Sequence, residues 1–259
     1  MSENYLYLNV VRPSGVKRHH ELPVLVWIHG GGWFEGSASD GRYNGTFLVL
    51  NSVKLGTPLV FVSFNYRLGA FGYLSGQEVQ KNGLANLGLQ DQRQVLAWVQ
   101  EVIRSFGGDP ERVTVMGESA GALSIGFLLL SKEGWDDGFF SAAIAQSGST
   151  LTPTLSRSAA QQQTDFEGVL NVTGCAHSKE ALSCLRAIPA STLRGASKTL
   201  PLSFTPDGDL VSKSALRSLR DGKFVRVPLL IGTTRIEGMH FVQQALRESL
   251  NLVQILRRS

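Results

Sequence analysis

The five residues Gly117-Glu118-Ser119-Ala120-Gly121 constrain the fold of this chain more than any other feature, and they directly follow the apolar run Val113 to Met116. A serine between two glycines, where a strand turns into a helix, is typical of a nucleophile elbow. Because glycine has no Cβ, neither flanking position obstructs the strained turn that exposes the serine hydroxyl. The pattern predicts a strand, a sharp turn and a helix, with Ser119 as the candidate nucleophile.

Short apolar or β-branched runs alternate with longer helical patterns along the rest of the chain. This alternation predicts an α/β fold in which parallel strands are joined by crossover helices. The first segment, Tyr5 to Val11, alternates along its length and is predicted to be a half-exposed, antiparallel strand at or near the sheet edge. The predicted parallel strands are 23–28, 59–64, 113–116, 142–146 and the last, buried run 227–231.

Two further regions are predicted to be helical. Residues 90–106 contain four apolar residues at helical spacing, which places them on one stripe of a helix that is predicted to cover the sheet. These residues are Val95, Val99, Val102 and Phe106. From about 152 to 221 the sequence is richer in serine and glutamine and its periodicity is weaker, so we interpret this region as a helical excursion from the sheet. Both regions belong to one partial domain, residues 1–259.

Charge and hydropathy exclude several classes of function. The chain has 25 basic and 21 acidic residues, a net charge of +4, and no basic cluster longer than a pair. We therefore expect no nucleic-acid partner. No apolar run reaches the length of a transmembrane helix, and the first residues lack the basic and apolar regions of a signal peptide.

The chain has two cysteines, Cys175 and Cys184, nine positions apart. Their spacing is compatible with a local disulfide. A metal site with the intervening His177 is the alternative, but it would need more ligands at closer spacing. We therefore expect neither a metal nor another cofactor.

A second motif, His29-Gly30-Gly31-Gly32-Trp33, follows the predicted strand 23–28. Glycines allow backbone amides to approach a substrate oxygen closely, and acyl transfer through serine needs such donors around the developing oxyanion. The amide of Ala120, directly after the nucleophile, would complete the oxyanion hole. The two motifs together predict acyl-transfer chemistry.

The serine motif and its surroundings resemble the type-B carboxylesterases, a family of the α/β-hydrolase fold that includes cholinesterases and fungal lipases. The resemblance runs from Phe106-Gly107-Gly108-Asp109-Pro110 through the elbow. It extends to three further blocks: Asn65-Tyr66-Arg67, residues 88–93 and Gln146-Ser147-Gly148. The sequences of residues 10–15 and 56–58 most resemble those of the fungal lipases. The resemblance covers nearly the whole chain and implies a carboxylic ester hydrolase acting on a small-molecule or lipid ester.

The same resemblance implies roles for individual residues. Ser119 would be the nucleophile, Glu237 in Arg235-Ile236-Glu237-Gly238 the triad acid, and the amides of Gly31, Gly32 and Ala120 the oxyanion donors. Glu118 would tune the site electrostatically and Ser147 would hydrogen-bond within it, although both could equally be packing residues. Two structural pairs are also implied: an ion pair between Arg67 and Asp91, and a disulfide between Cys175 and Cys184. The disulfide would place the whole protein in an oxidising compartment, as for a secreted enzyme.

The catalytic histidine is where the chain departs from the family pattern. The family places this residue on a C-terminal loop well beyond the acid, whereas Ser259 is only 22 residues after Glu237. Of the five histidines only His240 follows the acid, and it would share a local turn with Glu237. We therefore expect a central fragment with weak activity or none, because serine needs an imidazole base. The alternatives are a non-catalytic cholinesterase-like interaction module, or a truncated gene-model product without independent function.

Overall fold

The computed structural model describes residues 4–135, 137–149, 158–211 and 215–238. Within these ranges six strands form one sheet, and their bounds are β1 Leu8–Val11, β2 Leu22–Ile28, β3 Val60–Phe64, β4 Gly108–Glu118, β5 Ala142–Gln146 and β6 Leu229–Gly232. The spatial order of the strands is β1-β3-β2-β4-β5-β6. β1 pairs with β3 in antiparallel register, and every other neighbouring pair is parallel. The predicted antiparallel edge strand and the mostly parallel sheet are confirmed.

Helices lie between the strands along the chain. Their bounds are α1 Thr46–Lys54, α2 Ala70–Tyr73, α3 Gln77–Lys81, α4 Leu87–Val102, α5 Ala120–Leu130, α6 Ala159–Thr173, α7 Ala181–Ala187, α8 Ala190–Ser197 and α9 Ala215–Arg220. Short 3₁₀ helices occur at Arg18–His20, Gly41–Tyr43, Ile103–Phe106 and Ser131–Gly134. In the described ranges no helix is both long and apolar enough to cross a membrane.

The two faces of the sheet are covered unequally. Because side chains alternate along a strand, Val24, Val26 and Ile28 of β2 enter the main core, which α4, α5 and α6 complete. Trp27 of β2 points to the opposite face, where it packs with Val49 of α1 and Phe61 of β3 in a smaller cluster. The helix after the nucleophile therefore lies on the more extensively packed face.

The buried stripe of α4 differs from the predicted one. The residues of this segment that are almost fully buried are Leu89, Gln92, Leu96, Val99 and Ile103. Of the predicted stripe only Val99 belongs to this set, and Val95, Val102 and Phe106 are half-buried at its margin. The prediction that this helix covers the sheet is confirmed, with Val95 and Phe106 packed at the edge of the core. Apolar spacing did not indicate the fully buried stripe because it contains a polar residue: Gln92 is buried and donates from Nε2 to Ser124 Oγ at 3.2 Å.

The predicted burial of the last strand was wrong. Leu229, Leu230 and Ile231 are exposed to 41%, 64% and 45%. In the described part of the chain β6 has only β5 as a strand neighbour. An apolar run of this kind is typical of a strand buried on both faces, but here the described elements leave all three side chains exposed.

Among the described residues between β5 and β6 are four helices, α6 to α9, where the sequence predicted a helical excursion. Residues 152–157 and 212–214 of that predicted region lie outside the described residues. Ser158 begins α6 with a capping box, in which its hydroxyl accepts from the Gln161 amide and the Gln161 side chain accepts from the Ser158 amide. Beyond α6, Cys175 and Cys184 form a disulfide that ties the end of this helix to α7. The disulfide, and not a metal site, is therefore what the two cysteines form.

The different burial of Leu96 and Val95 on α4 can be tested by truncating each side chain. Leu96→Ala removes a fully buried side chain, and we expect it to lower the free energy of unfolding by about 2–5 kcal/mol. Val95→Ala, at the neighbouring half-buried position, is the matched control and should cost less than about 1.5 kcal/mol. Urea unfolding followed by circular dichroism measures both. Equal losses would contradict the observed orientation of α4.

Candidate active site

Ser119 occupies the sharp turn between β4 and α5. Its backbone has φ 54° and ψ −121°, a conformation that is strained for a residue with a side chain. Two hydrogen bonds hold it: the Ser119 amide donates to the Gln146 carbonyl at the end of β5, and the Ser119 carbonyl accepts from Leu123 in α5, both at 2.9 Å. The predicted strand, turn and helix are therefore present, and the turn has the backbone geometry of a nucleophile elbow.

Both glycines of the motif are required by close backbone contacts. A Cβ on Gly121 would lie 2.1 Å from the Ile28 carbonyl oxygen at the end of β2, and a Cβ on Gly117 would lie 2.7 Å from the Gly121 carbonyl carbon. Any side chain at Gly121 would push α5 away from the sheet. The first turn of α5 can pack against the end of β2 only because this position is glycine.

The glycine loop follows β2 and is folded against the elbow. Gly31, Gly32 and Trp33 all have positive φ, at 108°, 61° and 63°. In the described part of the chain the amides of Gly31 and Gly32 donate no hydrogen bond to another protein group. A Cβ on Gly30 would lie 3.1 Å from Ser119 Cβ. Two unpaired amides therefore belong to a loop that touches the serine, an arrangement suited to binding an oxyanion.

Trp33 anchors the glycine loop, a role that the sequence reasoning missed. Its indole Nε1 donates to Ser124 Oγ in α5 at 3.2 Å, and its carbonyl accepts from the Gly69 amide at 2.7 Å. The Ser124 hydroxyl in turn donates to the Ala120 carbonyl at 2.8 Å. A large aromatic residue directly after three glycines was the sequence feature that could have indicated this anchor, because it stabilises a loop that would otherwise be flexible.

The buried ring of His29 holds the glycine loop through stacking and hydrogen bonds. The ring is buried and stacks on Tyr66, with 4.4 Å between ring centroids. Its Nδ1 donates to the Gly30 carbonyl at 2.9 Å, and the Tyr66 hydroxyl donates to the His29 carbonyl at 2.7 Å. Burial lowers the pKa of His29 from its ordinary value of 6.5. A neutral imidazole therefore helps to fix the loop.

Glu237 lies in the turn after β6 and faces the same cavity as Ser119. Its Oε1 accepts from the Thr234 amide at 2.7 Å. Hydrogen bonds from the Ser147 side chain and from the Thr234 amide lower the pKa of Glu237 below its usual value. Ser147 itself directly follows β5, and its amide donates to the Gly232 carbonyl at 2.8 Å. Glu237 is therefore an ionised carboxylate at neutral pH.

Further charged groups, Glu118, Asp40 and Arg42, line the same cavity. Burial raises the pKa of Glu118, and the negative charge of Glu237 raises it further. Arg42 opposes this shift. Its guanidinium also binds Asp40 at 2.7 Å and lowers the pKa of that carboxyl to about 2. Sequence reasoning missed Asp40 and Arg42, because only the tertiary fold places them beside residues that are distant in the chain.

These groups line one open cavity of about 840 Å³. The carboxyl ends of β2, β4, β5 and β6 meet here, where ligands bind in open α/β sheets. Of the predicted site residues, the structure brings together Gly31, Gly32, Glu118, Ser119, Ser147 and Glu237. Ala120 is adjacent as the first residue of α5, so its amide has no acceptor within the helix. In the described ranges no group of three or more acidic, histidine or cysteine residues could hold a metal ion.

None of the described histidines lines the cavity. His29 lies beneath the loop, the rings of His19 and His20 stack on each other at the surface, and His177 is exposed near the disulfide. His240 lies outside the described residues.

The Arg67–Asp91 pair lies outside this cavity and links β3 to α4. The guanidinium of Arg67 donates to the Asp91 carboxylate from Nε at 2.8 Å and from Nη2 at 2.6 Å. The backbone amide of Arg67 donates to the same carboxylate at 2.9 Å. The segment after β3 is thereby tied to the helix that covers the sheet.

The sequence and fold of this chain are similar to those of known proteins of one family. Residues 1–258 match the carboxylesterase family. The chain belongs to the carboxylesterase family. Among its curated relatives are Lipase 2 of Geotrichum candidum, 38% identical, and Secreted lipase 1 of Botryotinia fuckeliana, 40% identical. Their alignments cover 95% and 92% of this chain. Acetylcholinesterase of Bungarus fasciatus is 38% identical over 93% of this chain.

Solved structures of the carboxylesterase family have the same fold. The chain is similar to the crystal structure of Aspergillus niger EstA, with a TM-score of 0.79 and 36% identity over 88% of this chain. It is equally similar to a thermophilic pNB esterase, with a TM-score of 0.80 and 34% identity over 93% of this chain. The predicted α/β-hydrolase fold is therefore confirmed.

This carboxylesterase-family chain spans about half the length of its relatives. It covers 47% of the Geotrichum lipase, 44% of the Botryotinia lipase and 40% of the Bungarus acetylcholinesterase. It likewise covers 45% and 49% of the two esterase structures. The expectation of a fragment is consistent with these proportions.

The buried neutral state of His29 predicts a pH dependence of stability. Its pKa is lower in the folded than in the unfolded chain. The unfolded chain therefore binds more protons, and stability falls as the pH drops through the unfolded pKa. We expect the midpoint of thermal unfolding to decrease between about pH 7 and pH 5, and His29→Asn to remove part of this slope. His177→Asn, at an exposed position, is the control. An unchanged slope in His29→Asn would contradict the assignment.

Proposed function

We propose that the whole protein hydrolyses carboxylic esters through an acyl-enzyme on Ser119. The observation that carries this proposal is the strained backbone of Ser119 at the end of β4, beside two unpaired glycine amides. In the proposed reaction the serine oxygen attacks the ester carbonyl, the alcohol leaves with a proton, and water then releases the carboxylic acid. Membership of the carboxylesterase family supports the same reaction class.

The proposed oxyanion donors are the amides of Gly31, Gly32 and Ala120. Negative charge develops on the carbonyl oxygen in the transition state, and preorganised amides stabilise it without having to reorient during the reaction. Trp33 and His29 would keep the loop in place. Loss of one such donor typically lowers kcat by about 10²–10³-fold.

Glu237 is the proposed acid of the triad. Its lowered pKa keeps it ionised, and an ionised carboxylate can orient an imidazole and stabilise its charged form. We propose that the imidazole comes from outside the described residues. It could be His240, or a histidine in the sequence that the relatives have and the matched region does not include. The 259-residue chain by itself should turn over slowly, because loss of the triad histidine lowers kcat by about 10⁶-fold.

The proposed substrate is a neutral carboxylic ester, either small or lipid. Curated relatives named as lipases include several fungal proteins, and this supports an ester of that class. Secretion of the whole protein is also a proposal. It is supported by the Cys175–Cys184 disulfide, which is stable in oxidising compartments, and by the relative named as a secreted lipase.

A fluorophosphonate probe tests the nucleophile. We expect it to label the full-length product of the gene stoichiometrically, and Ser119→Ala to abolish the labelling. The isolated 259-residue chain should be labelled at least about a hundredfold more slowly, because it would lack an efficient base. If the isolated chain is labelled as fast as the full-length protein, the base lies within it, and His240→Gln should then stop the reaction. Ester binding with no labelling of either protein would favour a non-catalytic interaction module instead.

Glu237→Gln tests the acid. We expect it to lower kcat for a p-nitrophenyl ester in the full-length protein by about 10³–10⁴-fold, because a neutral amide cannot stabilise an imidazolium. The matched control is Asp40→Asn, which removes another carboxylate of the same cavity and should change kcat by less than about tenfold. Equal effects of the two substitutions would show that Glu237 contributes only to the general charge of the cavity.

A further inference from the structure

A second cavity lies away from Ser119, where α7 and α8 face α2 and α3. Its volume is about 390 Å³, within the range of small-molecule sites. Leu74, Val79 and Leu185 supply buried walls, and Ile188 and Leu193 supply half-buried ones. None of its lining residues also lines the serine cavity. It is therefore a separate, predominantly apolar site.

The charge at this cavity comes from two arginines, with no acidic residue in the lining. Arg67 is neutralised by its bidentate pair with Asp91. Arg186, on α7, has no ion pair or hydrogen bond within the described ranges. An apolar cavity thus carries one unpaired guanidinium at an exposed position. A guanidinium binds carboxylates through two parallel hydrogen bonds, which an ammonium cannot do.

The cavity wall that carries Arg186 is held in place. Leu182, Leu185 and Arg186 are on α7, which also contains Cys184, and the Cys175–Cys184 disulfide ties α7 to the end of α6. The facing wall includes Arg67, which its pair with Asp91 fixes to α4. Binding at such a preformed site requires little ordering of the protein, which favours affinity.

We propose that this cavity binds an aliphatic carboxylate, with the hydrocarbon chain between the leucines and the carboxylate on Arg186. The apolar walls favour a chain without polar groups, and the guanidinium favours a terminal anion. A neutral alcohol of the same length would fill the walls but gain no ion pair. The proposal goes beyond the proposed function, because it concerns equilibrium binding at a separate cavity and holds whether or not Ser119 reacts.

Isothermal titration calorimetry with decanoate below its micelle concentration tests the proposal, with decanol as the uncharged probe. We expect one saturable site for decanoate. Arg186→Gln should weaken decanoate binding by about tenfold, as expected for loss of an exposed pair of charged hydrogen bonds, and should leave decanol binding unchanged. Leu193→Trp should weaken both ligands, because the indole would occupy the cavity. Arg194→Gln, on exposed α8 surface outside the lining, is the matched control and should have no effect.

Arg42→Gln separates the two cavities, since Arg42 lines the serine cavity. If decanoate binding is weakened by Arg42→Gln and not by Arg186→Gln, the carboxylate binds near Ser119 and the proposal is wrong. Absence of saturable decanoate binding, or equal affinity of the parent and Arg186→Gln proteins, would also overturn it. All variants are compared by circular dichroism and thermal unfolding, and Arg186→Gln, at an exposed position, should fold like the parent.

Discussion

The contact between Gly121 and the end of β2 is the constraint on which the site depends. Here the first turn of α5 approaches the Ile28 carbonyl so closely that even one Cβ would lie 2.1 Å from the oxygen. This contact seats α5 against the sheet directly after Ser119, and it sets the distance between the elbow and the loop that leaves β2. Close backbone packing thus brings the serine and the glycine amides together, and the side chains of Trp33 and His29 help to hold the loop there.

Neighbouring contacts hold the strained backbone of the elbow and of the glycine loop. Ser119, Trp33 and Ser147 all have positive φ although none is glycine. Such conformations persist only where neighbouring contacts hold them. For Trp33 these contacts are the indole bond to Ser124 and the carbonyl bond from Gly69. Backbone strain at a reacting residue is typical of functional sites, and the strain at Ser119 is consistent with the proposed acyl transfer.

The pKa values of the two carboxylates beside Ser119, Glu118 and Glu237, are shifted in opposite directions. Glu237 accepts hydrogen bonds that favour its charged form, whereas Glu118 is partly buried beside that charge and its pKa is raised. Two carboxylates with opposite shifts can serve different purposes in one site. The ionised one is suited to orienting an imidazole, and this is the role proposed for Glu237.

Local sequence patterns predicted the strands, the elbow and the glycine loop, because each depends on a few consecutive residues. The fully buried α4 stripe could not be predicted from apolar spacing, since it contains Gln92, a polar residue that donates to Ser124 in another helix. The apolar composition of β6 indicated burial, but exposure depends on which elements cover a strand. Arg42 and Trp33 likewise acquire their positions only through tertiary contacts. The family resemblance supplied the Glu237 assignment, which a lone loop carboxylate would not have indicated.

We propose that backbone packing at Gly121 positions Ser119 for reaction, and a glycine-to-alanine comparison tests this most directly. The measurement is the rate of fluorophosphonate labelling in the full-length protein. Gly121→Ala should lower this rate by at least about a hundredfold, because α5 would be displaced from β2. Gly168→Ala, where an added Cβ meets nothing within 4 Å, should leave the rate unchanged. Labelling of Gly121→Ala at the parental rate would contradict the account.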